Sequence, residues 1–253
     1  MNTLTQERDT FFIETGTLYV VSTPIGNLRD ISLRALDVLE QVDLIAAEDT
    51  RASKVLLDAH NIQTPMLSHH DFNKEKVVPR LISQLQDDRS IAVISDAGTP
   101  GVSDPAFYLI REAIQHDIPV QAIPGATALI PALVLSGLPT DRFVFEGFLP
   151  TKKGRQRRLQ SLAEDPRTLI FYESPYRVIR TLQDVYTHLG NRRVAIVREL
   201  TKKFETIVRG TLEQILAETA VLTLKGEFVI VIEGFTRKQQ KALSKREEMS
   251  HEN

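Results

Sequence analysis

The sequence of 253 residues contains no cysteine. Disulfide bonds, thiolate metal sites and cysteine nucleophiles are therefore excluded. Long apolar segments are also missing, since the N-terminal stretch MNTLTQERDTFF has no apolar core and no later segment approaches the roughly 20 residues that span a bilayer. We expect a soluble, cytoplasmic protein that does not associate with membranes.

Several cofactor signatures are absent as well. The chain has neither GxGxxG nor GxxxxGK[ST], which argues against a nicotinamide-binding Rossmann site and a P-loop. His69 and His70 stand next to Asp71, but adjacent side chains diverge and no HxxxH or HExxH spacing supports them. We therefore predict no metal site, and a loop at these residues before a helix capped by Asn73.

Charge of one sign is not in excess. Lysine and arginine number 31 against 33 acidic residues, so the net charge of −2 gives no general attraction to nucleic acid. A local basic run does occur in LPTKKGRQRR (149–158), where five of the last seven residues are basic. This run fits either a solvated linker at a domain boundary or a contact with phosphates.

Apolar residues make up 42% of the chain, enough for a sizeable core. The central stretch is VISDAGTPGVSDPA (93–106), in which a short buried strand stops at Asp96 and opens into turn-forming residues. Ser103 and Asp104 suit a helix N-cap, with Pro105 at the first helical position. Ligands of open α/β sheets lie outside the carboxyl ends of strands, so this loop is either a tight turn or a binding loop.

Other strand ends carry similar signals. The strand 43–47 ends in Glu48, Asp49, Thr50 and Arg51, which fit a helix cap with a surface ion pair or the lining of a cleft. The strand 120–123 runs into PGATALIPALVLSG (124–137), whose helix would present backbone amides near Thr127 and Ala128, a favourable place for an anionic group.

The order of elements predicts an α/β protein of two domains. We place a flexible lead at 1–15, a first domain at 16–149 with FVFEGF (143–148) at its edge, a second domain at 150–235 and a polar tail at 236–253. In the second domain the alternation TLIFYES, helix, RRVAIVREL, ETIVRGT, helix and GEFVIVIEG predicts a mixed sheet.

Five segments taken in order, TPIGNLRD, AEDTR, SDAGTPGVSDPA, PGATA and LTKKFE, resemble the tetrapyrrole methylase superfamily, the class III S-adenosylmethionine methyltransferases. The resemblance covers about residues 16–235 and implies two α/β domains with the methyl donor in the cleft between them, usually in a homodimer. Within the superfamily, the combination is similar to members that methylate the 2′-hydroxyl of a cytidine in the decoding region of 16S ribosomal RNA. Such relatives often continue into a small C-terminal helical domain, where this chain has a short charged tail.

The resemblance also implies particular residues, with S-adenosylmethionine as donor and no metal. The residues implied for the donor site are Pro24, Gly26, Asp96, Ala97, Gly98, Val102, Ser103, Thr127, Ala128, Tyr172, Leu200 and Thr201. The candidates near the acceptor, among which the sequence does not select the base, are Glu48, Asp49, Arg51 and Lys202. The candidates for contact with 16S rRNA or the small ribosomal subunit are Arg29, Lys152, Lys153, Arg155, Arg157 and Arg158.

Two other functions fit the same sequence. The fold permits methylation of a small molecule such as a tetrapyrrole, which would need a deep apolar pocket and no basic run. A non-catalytic RNA-binding or assembly protein is the third possibility, although the loops are intact.

Overall fold

The computed structural model describes residues 12–236. Its contacts divide the chain between Thr127 and Ala128 into two compact units, which we call the first and the second unit. Within the part described, no helix is both long and apolar enough to cross a membrane.

The first unit is a parallel sheet with helices between successive strands. Its five strands lie in the order β3-β2-β4-β1-β5, and every neighbouring pair is parallel. The elements are β1 Leu18–Val21, α1 Leu33–Gln41, β2 Leu44–Ala47, α2 Thr50–Ala59, β3 Met66–Ser68, α3 Lys74–Gln86, β4 Ile91–Ile94, α4 Ala106–Gln115 and β5 Val120–Ile123.

Two separate apolar clusters cover the faces of this sheet. Leu81 of α3 and Leu109 of α4 belong to one cluster, and Leu39 of α1 and Leu57 of α2 belong to the other. All four residues of β1 and of β4 are buried, as the predicted apolar runs require.

The strand order reverses direction between the neighbouring strands β1 and β4. After β1 the chain passes through α1 to β2 on one side, whereas after β4 it passes through α4 to β5 on the other side. The helices α1 and α4 also lie on opposite faces, because they belong to different clusters. The loops after β1 and β4 therefore flank the switch point, where open α/β sheets bind ligands.

The second unit contains a mixed sheet, as predicted. Its order is β6-β7-β10-β8-β9, in which β6 and β7 run parallel and the other neighbours are antiparallel. The elements are α5 Leu129–Ser136, β6 Phe143–Phe148, α6 Arg155–Ser161, β7 Thr168–Glu173, α7 Val178–Leu189, β8 Arg193–Arg198, β9 Thr206–Thr211, α8 Leu212–Ala217 and β10 Phe228–Ile232.

The prediction that FVFEGF forms the edge of the first domain is wrong. This segment is β6, and it pairs with β7 at the edge of the second sheet. Helix α5 contacts β8, β9 and β10 of the same sheet. The contacts therefore divide the chain after Thr127, earlier than the boundary that we predicted between residues 149 and 150. Pro150 lies in the loop between β6 and α6, within the second unit.

The ends of the chain are described only in part. Residues 1–11 of the predicted lead and 237–253 of the predicted tail lie outside the described residues. In the remainder of the lead, Ile13 packs against the cluster that contains Leu39, and the backbone N–H of Glu14 donates to the hydroxyl of Tyr19 at 2.6 Å.

Candidate functional site

The loops after β1 and β4 are joined directly by their backbones. Thr23 donates its N–H to the carbonyl of Gly98 at 2.9 Å, and Gly98 donates back to Thr23 at 3.1 Å. The hydroxyl of Thr23 also donates to the carbonyl of Ser95 at 3.1 Å. These bonds fix Asp96 and Ala97, the two exposed residues at the tip of the β4 loop, relative to the end of β1.

The loop after β5 is held against the same pair of loops. The hydroxyls of Ser22 and Thr99 lie 3.0 Å apart, and the hydroxyl of Thr99 donates to the carbonyl of Ala126 at 3.2 Å. A Cβ atom on Gly125 would lie 2.8 Å from the Cβ of Ser22, closer than real side chains approach. Only glycine therefore lets the β5 loop, with Thr127 at its end, come this close to β1.

The second half of the β4 loop is shaped by Asp104. Its carboxylate accepts hydrogen bonds from the N–H of Gly101 at 2.8 Å and from the N–H of Ala106 at 2.9 Å. Gly98 and Gly101 have φ values of 92° and 87°, and Ser103 adopts 69°. Asp104, and not Ser103 as the sequence also allowed, thus accepts from the first residue of α4, while the left-handed residues turn the backbone around the loop.

The loop after β2 brings a second carboxylate to this loop. The N–H of Asp49 donates to Oδ1 of Asp96 at 2.9 Å, and the N–H of Asp96 lies 3.4 Å from Oε2 of Glu48. Burial, together with the charge of Asp96, raises the pKa of Glu48 above its ordinary value. Burial also raises the pKa of Asp96, although the bond from Asp49 opposes it. The two acids therefore favour protonation more than free carboxyls do.

Asp49 has a different environment. It is the N-cap of α2 and accepts from the N–H of Arg51 at 2.8 Å. The guanidinium of Arg51 donates to both of its oxygens, and this hydrogen bonding lowers the pKa of Asp49 to about 2. The cap and the surface ion pair that the sequence allowed are both present, so Asp49 and Arg51 are engaged with each other.

The first loop also contains Pro24, Gly26 and Arg29. Pro24 is buried beside the end of β1, whereas Gly26 and Arg29 are exposed. Arg29 lies in a short turn of 3₁₀ helix, Leu28–Asp30, whose N-cap Asn27 accepts its backbone N–H at 3.2 Å. Both glycine and arginine are thus available to a ligand in this unit.

The predicted histidine loop differs from expectation in its cap. The side chain of Asn73 does not cap α3 but accepts from the N–H of His70 at 2.9 Å and donates to the carbonyl of Ser68. His69 is only 1% exposed, and its burial lowers its pKa. Among residues 12–236 no group of three or more metal-binding side chains is found, and these histidines do not form one.

In the second unit, Tyr172 lies near the end of β7 within a small aromatic group. Its ring meets those of Phe145 and Phe148 edge to face, with centroids 4.8 and 5.8 Å apart. The sequence signal for this group was the set of phenylalanines in FVFEGF, which predicted only a strand, because the bulge that brings Phe145 and Phe148 to one face is not visible in the sequence.

The LTKKFE segment forms a tight turn after β8. Leu200 is buried, and Thr201 has a φ of 64° with its N–H donating to Glu205 at 2.7 Å. Lys202 donates to Glu199 at 2.9 Å and to Glu227 at 3.0 Å. Burial alone would lower the pKa of Lys202, but these two carboxylates outweigh it and raise the pKa, so Lys202 is held as a cation.

The basic run is divided between the surface and the interior. Lys152, Lys153 and Arg157 are exposed. The side chain of Arg155, in contrast, is 5% exposed and donates to Asp184 at 2.6 Å and to Thr181 at 2.7 Å. The prediction that Arg155 contacts RNA is therefore wrong, because its guanidinium is enclosed between α6 and α7.

Arg158 is exposed but already paired. Its guanidinium donates to both oxygens of Glu146, at 2.5 and 2.9 Å, and the side chain of Glu146 is almost fully buried. An arginine held in this way keeps one face open, but its charge is partly neutralised.

Comparisons with known proteins identify the family. The model of the family described as "Tetrapyrrole (Corrin/Porphyrin) Methylases" matches residues 17–216. The chain belongs to this family. The predictions of a tetrapyrrole methylase and of its α/β fold are thereby confirmed.

Curated relatives are similar over most of the chain. A "Ribosomal RNA small subunit methyltransferase I" of Halalkalibacterium halodurans is 50% identical over 90% of this chain and 78% of its own. A protein of the same name from Synechocystis is 51% identical over 90% of this chain and 83% of its own. Among solved structures, a Thermus thermophilus uroporphyrin-III C-methyltransferase complexed with S-adenyl homocysteine matches with a TM-score of 0.61 and 20% identity, covering 85% of this chain and 96% of that one. This last similarity supports the fold alone.

Proposed function

We propose that this protein transfers the methyl group of S-adenosylmethionine to the ribose 2′-hydroxyl of a cytidine in the decoding region of 16S ribosomal RNA. The observation that carries the proposal is the identity of about one half, over 90% of the chain, to relatives named as methyltransferases of small-subunit ribosomal RNA. Family membership supports methyl transfer as the reaction.

The first unit offers a fitting place for part of the donor. S-adenosylmethionine combines an amino-acid group, a ribose and an adenine, so its recognition needs carboxylates, backbone amides and close approach of the chain. The switch-point loops supply Asp96, the left-handed Gly98 and Gly101, and the backbone near Thr127. We assign to this site the donor residues predicted in this unit: Pro24, Gly26, Asp96, Ala97, Gly98, Val102, Ser103 and Thr127.

The donor supplies a methyl group on a sulfonium, which is already electrophilic. A bond from the 2′-oxygen to the methyl carbon forms as the carbon–sulfur bond breaks, and the hydroxyl proton passes to a base. The protein's main tasks are therefore to align the hydroxyl and to accept this proton.

Of the four candidate bases, we favour Glu48. Asp49, with a pKa of about 2, is too weak a base, and Lys202 is held as a cation by two carboxylates. The guanidinium of Arg51 stays protonated. Glu48 has a raised pKa and lies at the end of β2 beside Asp96, so of the two candidate carboxylates it is the stronger base.

Four further donor contacts, a homodimer and a cytoplasmic location also belong to the proposal. Ala128, Tyr172, Leu200 and Thr201 are predicted to contact the donor on the basis of the family resemblance. A homodimer and a cytoplasmic location fit an enzyme that acts on ribosomal RNA, and they too stay predictions.

The test is a methyl-transfer assay with three acceptors. Purified protein and labelled donor are incubated with small ribosomal subunits, free 16S rRNA or a porphyrin precursor. We expect label in ribosomal RNA, and the ratio between subunits and free RNA identifies the preferred form of the substrate. Label in the precursor alone would support small-molecule methylation, and label in none of them would support a non-catalytic role.

A further inference from the structure

A β-bulge in β6 arranges the aromatic side chains of the second unit. Phe145 pairs with Ile170 and Phe148 pairs with Tyr172, so that Glu146 is an extra residue between the two pairs. Because the bulge adds one residue, Phe145 and Phe148, three positions apart, reach the same face of the sheet as Tyr172. Their edge-to-face contacts with Tyr172 show this arrangement.

Phe148 lies on this face and also lines an open cavity. Phe148 is 55% exposed, so part of its side chain is open to a ligand. The cavity measures about 600 Å³, and its lining includes Glu146, Phe148, Pro150, Gly154, Arg157 and Arg158. Since Glu146 holds Arg158 through two hydrogen bonds, an aromatic ring and a fixed guanidinium both face this space.

A second cavity of about 390 Å³ is lined mainly by basic residues, and its one acidic residue, Asp184, is paired with Arg155. Lys152, Lys153, Arg157 and Arg180 contribute to it, and it shares Gly154 and Arg157 with the first cavity. Arg180 lies 3.8 Å from Asp184. Within residues 12–236, however, Lys152, Lys153 and Arg157 form no ion pair with a carboxylate, so their charges are available to an anion.

We infer that the two cavities together bind one unpaired nucleotide of the RNA substrate, with its base stacked on Phe148 and its flanking phosphates on Lys152, Lys153 and Arg157. This inference rests on the proposed function. An aromatic ring beside planar guanidinium groups is suited to an unstacked base, and unpaired cations are suited to phosphates. A base inside a duplex cannot reach the ring, so the pocket selects single-stranded or splayed-out RNA.

The test compares four single variants in binding to RNA. Phe148→Leu and Arg157→Gln remove the stacking ring and one phosphate contact. Phe143→Leu on the same strand and Arg80→Gln on α3 are matched controls, because neither residue lines the cavities. The probes are a labelled single-stranded RNA of about 12 nucleotides, within the range that such sites cover, and an RNA duplex of the same sequence.

We expect Phe148→Leu to raise the Kd for single-stranded RNA roughly five- to a hundredfold, as loss of one stacked base does, and to change duplex binding little. Arg157→Gln should reduce the salt dependence by about one unit of slope. The controls should bind like the parent. Phe148→Tyr retains the ring and should retain the affinity, which separates stacking from a general effect on folding.

The proposed nucleotide site is contradicted if Phe148→Leu and Phe143→Leu bind single-stranded RNA equally well. It is also contradicted if Phe148→Tyr loses as much affinity as the leucine variant. Failure of the proposed function has a different signature, because the parent protein itself would then transfer no methyl group to ribosomal RNA.

Discussion

The backbone N–H of Asp49 donates a hydrogen bond of 2.9 Å to the carboxylate of Asp96. These residues are far apart in sequence, and the bond joins the loop after β2 to the loop after β4. It also sets Glu48, the residue before Asp49, beside the negative charge of Asp96. Burial, and after it the charge of Asp96, raises the pKa of Glu48.

If Glu48 is the base, Glu48→Gln should lower kcat by about 10²- to 10⁴-fold without a comparable change in donor binding. In the parent, only the ionised carboxylate accepts a proton, so kcat should rise with pH through the pKa of Glu48. Because that pKa is raised, the rise should lie above the ordinary value of 4.5. A pH–rate profile under single-turnover conditions measures this.

Asp49→Asn is the control for that profile. The pKa of Asp49, about 2, lies below the pH range of the assay. Replacing Asp49 by asparagine should therefore leave the rise of kcat with pH at the same position. If the rise of kcat with pH persists in Glu48→Gln, or disappears in Asp49→Asn, Glu48 is not the base.

Because we place part of the donor site at the loop after β4, we expect Asp96→Ala and Gly98→Val to bind S-adenosylmethionine more weakly. Removing a charged hydrogen-bond partner costs about 1.5–3 kcal/mol, roughly ten- to a hundredfold in Kd. Valine at residue 98 would have to adopt a φ of 92°, which distorts the loop. Titration calorimetry gives both affinities.

Gly137→Val and Asp87→Ala are the matched controls. Gly137 also has a positive φ, of 71°, but it lies at the end of α5, and Asp87 is an exposed carboxylate at the end of α3. Donor affinity should be unchanged in both. Equal losses in the controls and the loop variants would indicate unfolding and not a donor site at this loop.

The approach of the β5 loop to β1 depends on Gly125. In Gly125→Ala the new Cβ would lie 2.8 Å from the Cβ of Ser22, so we expect a loss of about 1–3 kcal/mol in the free energy of unfolding. The double variant Ser22→Gly with Gly125→Ala removes the clash and should regain part of that loss. Chemical denaturation tests this cycle, and additive effects of the two changes would contradict the close contact.

Apart from Arg158, which is paired with Glu146, the basic run consists of one enclosed arginine and three surface cations that are unpaired among the residues described. Arg155→Met should destabilise the second unit by about 3 kcal/mol, because it removes the close hydrogen-bond donor that Asp184 and Thr181 share, and it should not change the salt dependence of RNA binding. Replacing Lys152, Lys153 and Arg157 by glutamine should do the reverse, reducing the salt slope by roughly two to three units with little effect on stability.

Thermal unfolding and RNA titrations at several salt concentrations distinguish the two sets. An Arg155 variant that folds like the parent and has a flatter salt slope would return Arg155 to the RNA surface. A triple variant with an unchanged slope would remove the cations from that surface.

The sequence predicted those features that depend on local pattern. The apolar runs at β1 and β4, the mixed sheet of the second unit and the glycine-rich loop after Ile94 all depend on residues close in the chain. The cap by Asp49, which was one of the two readings that the sequence left open, is equally local. These predictions succeeded because burial periodicity and capping are short-range properties.

The features that the sequence did not predict depend on contacts between distant residues. Arg155 has the same local signal as Arg157, and only its distance of 2.6 Å from Asp184 distinguishes them. The strand FVFEGF pairs with β7 in the second sheet, because strand pairing is decided by packing across the sheet and not by the position of a strand in the chain. The ranking of Glu48 over Asp49 likewise required the contact with Asp96.

The proposed reaction is methylation of a cytidine 2′-hydroxyl in small-subunit ribosomal RNA. The most direct measurement is mass spectrometry of nucleosides after RNA is treated with the protein and a donor carrying a labelled methyl group. We predict label in 2′-O-methylcytidine from one position of 16S rRNA, with none after treatment with the Glu48→Gln variant over the same time. Label in a methylated base, or unlabelled RNA beside a labelled porphyrin precursor, would show that the protein does not catalyse this reaction.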